Sequence, residues 1–461
     1  MKLLRIALLS LLPLSCLADD AVPTVLNFES FGDVQVYGDP ARMGPVAIVL
    51  NDASVPVDMR VQIAKQAAAR GALIALVDLD HYFKAIAAKP DSCAYHSWEF
   101  EKLSKFIQKT LARPNYQPPL LVGFGTGAGL AYTTVTEAPR GTFAGLFTSG
   151  LCPDMRVPKK LCANEDETWE EDDNANQISL KALDKSSEPW VALPTSRAQC
   201  PATASAEFFS DVDGAKVLPV STASWSTGPW AAQVSEAIWH EMLDKPQPRV
   251  ADELGDLPVV EQRAEKATNK TLAVVVTGDG GWAGIDREVA DQLNAAGMDV
   301  VGFNSLQFFW KKRTPEETAQ AISRVISHYT KSWQPDGVLL VGYSFGADIM
   351  PFVVHRLPKD DAAEIKAVAL LAPGLTTQFE FRVSEWLGLD EDTGAYRIVP
   401  EILAMPKIPV ICIYGEEETD EAACPKLASS QVKVVKTSGG HHFDGDYDAL
   451  AHRIIELLPR R

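Results

Sequence analysis

The sequence predicts an α/β protein made of two tandem units with mainly parallel sheets. Two observations lead to this fold class. In both halves of the chain, short apolar runs typical of buried strands alternate with amphipathic helices. Each half also has a glycine-bracketed turn between a strand and a helix, "LLVGFGTGAG" at 120–129 and "LLVGYSFGAD" at 339–348. Strand–helix alternation of this kind predicts a parallel sheet covered on both faces.

The elements follow the same order in the two halves. The strands predicted in the first half are "VAIVLND", "ALIALVDL", "PLLVGFG" and "FAGLFTSG", with helices "DMRVQIAKQAAARG" and "WEFEKLSKFIQKTLA" between them. The strands predicted in the second half are "TLAVVVTG", "MDVVGFNS", "GVLLVGYS" and "KAVALLAP", with helices "DREVADQLNAAG" and "PEETAQAISRVISHYTKSW". We interpret this order as an internal repeat too long for a solenoid.

The length of 461 residues also favours two domains. A stretch rich in proline and charge, "DKPQPRVADELGDLP", separates the halves and is typical of a linker. We predict a signal peptide at 1–18, a first unit at 19–243, a linker at 244–256 and a second unit at 257–461.

The N-terminal segment has the pattern of a secretory signal. Lys2 and Arg5 precede an apolar stretch, and cleavage is expected after Ala18. The apolar stretch is well short of the roughly 20 residues that a membrane span needs. Loss of Lys2 and Arg5 changes the formal net charge from −18 to −20. So acidic a protein is expected to avoid nucleic acids and to attract cationic ligands.

Six cysteines remain after residue 18, an even number that indicates disulfides in an exported protein. Cys412 and Cys424 are the two in the second half and are expected to pair. Their spacing suits neither a zinc site nor a redox motif, so we expect no metal.

Ser344 stands in a GxSxG pattern between an apolar strand and a helix, which is the nucleophile elbow of α/β-hydrolases. In that fold the acid and the histidine follow the serine along the chain. "IPVICIYGEEETDEAACP" supplies a strand followed by carboxylates, and "KVVKTSGGHHFDGDY" supplies a strand followed by histidines. The sequence therefore predicts a catalytic triad in the second unit.

Two triad positions have alternatives. We favour Asp420 as the acid, because a short side chain holds the imidazole more rigidly, and Glu418 is the alternative. We favour His441, which directly follows Gly440, over His442.

An oxyanion hole is expected beside the serine. Its predicted donors are the N–H of Phe345 and the N–H of Gly280 or Gly281 in the loop "TGDGGWAG". This loop lacks the GxGxxG pattern of a dinucleotide site, and no cofactor is expected.

The first unit lacks all three triad members. Gly125 stands opposite Ser344, and alignment of the two halves places Ser196 opposite Asp420 and Ser224 opposite His441. We predict a catalytically degenerate unit with a structural, regulatory or ligand-binding role.

Four motifs of the second half resemble the bacterial VirJ/AcvB virulence-factor family: the 277–282 loop, "GYSFGADIMPF", "FEFRVSEWLG" and "GGHHFDGDYDALA". The resemblance covers most of 256–459. It implies a periplasmic protein, a triad of Ser344, Asp420 and His441, and hydrolysis of alanine or lysine esterified to phosphatidylglycerol. Thr277 departs from the serine of the family pattern, and the length of the acidic loop keeps Glu418 open.

Residues of two segments are candidates for binding such a substrate. Asp279 and Trp282 lie in the oxyanion loop, where a carboxylate would meet the ammonium of an aminoacyl ester; for Asp279 the alternative is loop capping. "LQFFWKKR" offers aromatic rings for acyl chains, and Lys311, Lys312 and Arg313 for a lipid phosphate. The alternative for this segment is a solvated charge run.

The function predicted from these features is that of a periplasmic serine esterase acting on a lipid substrate at the membrane surface. The alternatives are a non-enzymatic adaptor for secretion-system proteins, with the first unit as docking surface, and a general carboxylesterase or peptidase.

Overall fold

The computed structural model describes residues 22–51, 53, 55–162, 168–172, 177–196, 200, 202–210, 212–221, 227–244, 252–382, 395–427 and 430–458. The predicted signal peptide lies outside these ranges, as do residues 245–251 of the predicted linker. In the ranges described, no helix combines the length and the apolar character needed to cross a membrane.

The first unit contains a long twisted sheet with helices on its faces. Its described strands are β1 (Thr24–Phe28), β2 (Gly32–Tyr37), β3 (Val46–Asn51), β4 (Leu73–Asp78), β5 (Leu120–Phe124), β6 (Gly145–Ser149), β7 (Asp154–Arg156), β8 (Trp169–Asp172), β9 (Gln177–Leu180), β10 (Lys185–Leu193) and β11 (Asp213–Val217). Its described helices are α1 (Val57–Ala69), α2 (Leu79–Ala88), α3 (His96–Thr110), α4 (Thr126–Glu137), α5 (Ala202–Ser210) and α6 (Gly228–Ile238).

The strand order of this sheet is β1-β2-β4-β3-β5-β6-β10-β11. Strand β2 pairs antiparallel with both neighbours, and the later pairs are parallel. Strands β7, β9 and β8 form a separate small antiparallel sheet. The predicted α/β class with a mainly parallel sheet is confirmed for this unit.

The second unit has the same arrangement, a mainly parallel sheet with helices. Its described strands are β12 (Val259–Gln262), β13 (Thr271–Val276), β14 (Val300–Phe303), β15 (Gly337–Tyr343), β16 (Ile365–Leu371), β17 (Thr376–Thr377), β18 (Tyr396–Arg397), β19 (Val410–Gly415) and β20 (Lys433–Thr437). Its described helices are α7 (Gly284–Ala295), α8 (Ser305–Phe308), α9 (Pro315–Trp333), α10 (Phe345–Arg356), α11 (Lys359–Glu364), α12 (Ile398–Ala404) and α13 (Tyr447–Ile455).

The strand order of the second sheet is β12-β14-β13-β15-β16-β19-β20. Apart from β12, which pairs antiparallel with β14, its strand pairs are parallel. Every residue of β13 after Thr271 and all of β15 are buried, as expected for strands covered on both faces. Parallel strands bring their carboxyl ends to one edge, and Ser344 follows β15 at that edge.

The two units touch through side chains of their cores. Tyr116 of the first unit is 3% exposed and packs into the apolar core of the second. Its ring lies 5.3 Å from that of Trp310, whose indole N–H donates to the Arg113 carbonyl at 2.9 Å. The first unit therefore contacts the segment that follows β14.

Three disulfides join the six cysteines, and all lie within a unit. The predicted pair Cys412–Cys424 is confirmed. The first unit contains the pairs Cys93–Cys162 and Cys152–Cys200.

Candidate active site

Ser344 occupies a sharp turn between β15 and α10. Its backbone has φ 51° and ψ −120°, a region that costs a non-glycine residue roughly 1–3 kcal/mol. A side chain at Gly342 would strike the backbone of Gly346, and one at Gly346 would strike the carbonyl of Val276. These close approaches are the reason for the two glycines of the pattern, and they leave Ser344 at the tip.

His441 bonds to Ser344 and to a carboxylate. Its Nε2 lies 2.9 Å from the Ser344 Oγ, and its Nδ1 lies 2.7 Å from an Oε of Glu418. A carboxylate only accepts, so the ring proton belongs on Nδ1, and Nε2 then accepts from the serine hydroxyl. This is the arrangement in which an imidazole acts as a general base toward a hydroxyl.

The choice of Asp420 as the acid is corrected by this geometry. Glu418 ends a short 3-10 turn directly after β19, with its side chain half-buried beside the imidazole. The chain then turns away, because the N–H groups of Glu421 and Ala422 both bond to the Glu418 carbonyl. Asp420 is therefore exposed. The longer side chain nearer the strand end reaches the ring.

His441, rather than His442, bonds to the serine. The His442 side chain is exposed, and its ring centroid lies 6.1 Å from that of His441. Desolvation is the main cause that lowers the pKa of His442, and the charge of the neighbouring His441 lowers it further.

The loops carrying Glu418 and His441 lie against each other. The Glu417 N–H donates to the Gly439 carbonyl at 3.1 Å, and a side chain at Gly415 would strike the carbonyls of Gly439 and Gly440. The Cys412–Cys424 disulfide closes the acidic loop from β19 to the turn beyond it. The acid and the base are thus fixed to two neighbouring strands.

The predicted oxyanion donors differ in whether their N–H groups already have an acceptor in the loop or helix. Phe345 is the first residue of α10, so its N–H has no acceptor within the helix. The Gly281 N–H already donates to the Gly278 carbonyl, which leaves Gly280 as the candidate of the pair. A Cβ built on Gly280 would meet no heavy atom within 4 Å, whereas one built on Gly278 would lie 3.4 Å from the Ser344 Cβ.

A buried carboxyl supports this loop and was missed by the sequence analysis. Asp286, in the first turn of α7, is 3% exposed and accepts the Gly278 N–H at 3.1 Å. Burial raises its pKa well above the usual value, the bond from Gly278 lowers it, and the charge of Asp279 raises it further. An acidic residue at a helix start is too common a pattern to have indicated this role.

Asp279, the candidate for amine recognition, and Asp348, one helical turn past Ser344, have different surroundings. Asp279 is exposed beside Gly280. The Asp348 Oδ1 accepts the Gly374 N–H at 2.7 Å, and burial is the main cause that raises its pKa to about 8. Asp348 is therefore mostly neutral at pH 7, and Asp279 is the better acceptor for an ammonium group.

The aromatic part of "LQFFWKKR" packs inside the protein, so the expectation that these rings meet acyl chains is wrong. Phe308, Phe309 and Trp310 are each at most 5% exposed. Phe309 stacks edge-on against Phe345, at a centroid distance of 4.9 Å.

The three basic residues that follow differ in exposure. Arg313 folds back, with its Nε on the Phe308 carbonyl at 3.2 Å, whereas Lys311 and Lys312 are exposed. The ring of Trp282 lies over Gly302 of β14.

The first unit keeps the turn without the side chains. Gly125 has φ 61° and ψ −121°. Its N–H donates to the Ser149 carbonyl, just as the Ser344 N–H donates to the Leu371 carbonyl. Ser196 follows β10 and accepts the Ala202 N–H at 3.3 Å, whereas Ser224 lies outside the described residues.

The second unit is a serine hydrolase by its fold and by the hydrogen-bonded series from Ser344 through His441 to Glu418. Among the described residues, no group of three or more His, Cys, Asp or Glu side chains is placed to hold a metal ion.

Known structures resemble parts of the chain only distantly. The Pyrococcus furiosus esterase Pf2001 aligns at 14% identity and a TM-score of 0.32, over 46% of this chain and 95% of that one. The Est1E protein of Butyrivibrio proteoclasticus, bound to ferulic acid, aligns at 15% identity and a TM-score of 0.33, over 43% and 93%. These scores add nothing to the fold shown by the sheets themselves.

No curated protein matches the chain. The model of one family, described as bacterial virulence protein (VirJ), matches residues 270–461. The match supports the resemblance predicted from the motifs and covers most of the second unit.

Proposed function

We propose that the protein is a periplasmic esterase that hydrolyses aminoacyl esters of phosphatidylglycerol. The observation that carries the proposal is the series Ser344–His441–Glu418 at the end of β15, beside an open loop that contains an exposed carboxylate. The triad accounts for ester hydrolysis, and Asp279 accounts for the preference for an ester whose acyl group carries an ammonium.

The proposed reaction has two acyl-transfer steps. The Ser344 hydroxyl attacks the ester carbonyl while His441 takes its proton, and Glu418 stabilises the imidazolium. The N–H groups of Phe345 and Gly280 hold the oxyanion. His441 then protonates the glycerol oxygen of the departing lipid, and water, deprotonated by the same ring, releases the amino acid from the serine.

Three further features support a lipid ester whose acyl group carries an ammonium. The net charge of −18 attracts cations. The exposed Lys311 and Lys312 are available to a lipid phosphate. The VirJ match agrees with the motif resemblance. That resemblance implies hydrolysis of this substrate. Three disulfides fit the oxidising periplasm.

The test uses the full mature chain and vesicles containing alanyl- or lysyl-phosphatidylglycerol. We expect release of the free amino acid, and loss of release in Ser344→Ala with an unchanged melting temperature. Cleavage of a nitrophenyl ester without cleavage of either lipid would favour a general carboxylesterase. Cleavage of neither class of ester would favour the adaptor function.

A further inference from the structure

The oxyanion loop, residues 277–284, meets the first unit at its C-terminal end. The Gly284 N–H donates to the Arg140 carbonyl at 3.1 Å. A Cβ built on Gly141 would lie 2.5 Å from the Trp282 carbonyl oxygen, so the two backbones are in direct contact. Arg140 and Gly141 belong to the turn between α4 and β6, here called the 139–141 turn. This turn fixes the exit of the loop.

The 139–141 turn is itself held from both units. Glu188 of β10 accepts the Gly141 N–H at 2.6 Å and lies 3.8 Å from the Arg287 guanidinium of α7. The Arg140 guanidinium lies 3.2 Å from Asp291, also of α7. The turn is thus bonded to the helix that follows the oxyanion loop as well as to the loop.

Helix α3 is also fixed against the catalytic unit. The Lys109 ammonium donates to the Trp310 carbonyl and lies 5.0 Å from the centre of the Trp310 ring. The Arg113 carbonyl, just beyond the helix, accepts the indole N–H. The first unit is therefore held against the second by contacts other than those of the 139–141 turn.

We propose that the first unit is a positioning element of the active site, in which the 139–141 turn holds the oxyanion loop in its working geometry. The turn acts through the loop and does not touch the substrate. The inference rests on the proposed esterase chemistry only in requiring Ser344 and an acyl ester.

The physical reason is that an oxyanion hole works by preorganisation. Its donors stabilise the transition state because they do not have to reorient during the reaction. The 277–284 loop contains four glycines, so few of its own side chains limit its backbone. Contacts from the first unit supply the restraint that the loop sequence lacks.

The first test is Gly141→Ala in the full chain, which pushes a methyl group toward the Trp282 carbonyl. Active sites are titrated with a fluorophosphonate, and the turnover of a nitrophenyl ester is divided by the number of labelled sites. We expect kcat per site to fall about tenfold to a hundredfold, as for a small displacement of catalytic groups. KM should stay within about twofold, because an interaction made in the transition state is lost.

The matched control is Gly214→Ala. Gly214 also has a positive φ, 84° against 91° for Gly141, but its nearest neighbour would be 3.9 Å away, so its replacement should leave kcat per site unchanged. An equal loss in both variants, or no loss in Gly141→Ala, would overturn the inference.

A second variant keeps the inference testable if Gly141→Ala fails to fold. Glu188→Ala removes the acceptor of the Gly141 N–H and the carboxylate beside Arg287, and we expect a similar fall in kcat per site. An unchanged kcat in Glu188→Ala would overturn the role of the turn.

The wild-type protein separates the two proposals. If the fluorophosphonate fails to label Ser344 in the wild type, the proposed function is refuted and the inference falls with it. If Ser344 is labelled and kcat per site is unaffected by Gly141→Ala and Glu188→Ala, the inference alone is refuted.

Discussion

Ser344 and Gly125 occupy the same backbone conformation at the ends of equivalent strands, yet one tip residue has a hydroxyl and the other has no side chain. Glycine tolerates a positive φ without cost, whereas a serine needs surrounding structure to hold it there. The strain at Ser344 is accompanied by a bonded histidine and carboxylate. The strained backbone of Ser344 thus marks function only together with the histidine and the carboxylate that are bonded in series to its side chain.

The identity of the acid gives the sharpest residue-scale prediction. Glu418→Gln should lower kcat about 10³- to 10⁴-fold, because an amide neither holds the Nδ1–H tautomer nor stabilises the imidazolium. Asp420→Asn is the matched control two residues away, and its kcat should be unchanged. Ester turnover in the two purified variants decides the matter, and a large loss in Asp420→Asn with activity kept in Glu418→Gln would reverse the assignment.

Recognition of the ammonium group is predicted for Asp279. A hydrogen bond to a charged group contributes about 1.5–3 kcal/mol. Asp279→Asn should therefore reduce kcat/KM for an aminoacyl ester by about tenfold or more beyond its effect on an uncharged ester of the same length. The measured quantity is the ratio of the two losses. Equal losses on both esters would restrict Asp279 to the shape of the loop.

At the scale of elements, the strand–turn–helix unit occurs twice with the same close contacts. A side chain at Gly127 would strike the Leu50 carbonyl, as one at Gly346 would strike that of Val276. The glycine-bracketed turn is therefore explained by backbone packing in both units, whether or not the unit is catalytic. What distinguishes the second copy is the pair of loops after β19 and β20, which bring Glu418 and His441 to the same edge.

A serine placed in the first turn should remain inert. Gly125→Ser, made in the Ser344→Ala background, should show no fluorophosphonate labelling, because Ser196 occupies the position aligned with the acid region and supplies no carboxylate. The positive φ should destabilise the first unit by roughly 1–3 kcal/mol. Mass spectrometry of the treated variant gives the readout, and a modified residue 125 would mean that the first unit is not degenerate.

At the scale of the whole molecule, each unit buries a carboxyl whose pKa is raised to about 8, mainly by desolvation. These are Asp348 in the second unit and Glu137 in the first, where the N–H groups of Ser97 and His96 donate to Glu137. Each folded pKa lies above the unfolded value of about 4. The folded state therefore holds a proton that the unfolded chain releases as the pH rises.

The stability contributed by each carboxyl should be fully present below about pH 4 and lost as the pH rises to about 8. Asp348→Asn and Glu137→Gln should each lose less stability than the wild type between pH 5 and pH 8. Melting temperatures at the two pH values measure this, with exposed Asp420→Asn as the control. A variant whose pH dependence equals that of the wild type would contradict the burial of its carboxyl in the neutral form.

The sequence by itself determined the two α/β units, the elbow at Ser344, the choice of His441 and the pairing of Cys412 with Cys424. These features depend on neighbours along the chain: apolar runs, glycines at fixed offsets and the order of strands. Strand β12 was missed because a four-residue antiparallel edge strand has too short a pattern to be recognised.

Only the tertiary structure decided the acid, the burial of Phe308 to Trp310, and the contacts of Arg140 and Gly141 with the oxyanion loop. Which carboxylate reaches His441 depends on how the chain turns after β19 and on the approach of a second loop 23 residues later. The contact between Arg113 and Trp310 joins residues 197 positions apart. Periodicity and motif spacing record which face of an element is apolar. They carry no information on which element of another unit will cover it, because that choice is made by packing the whole molecule.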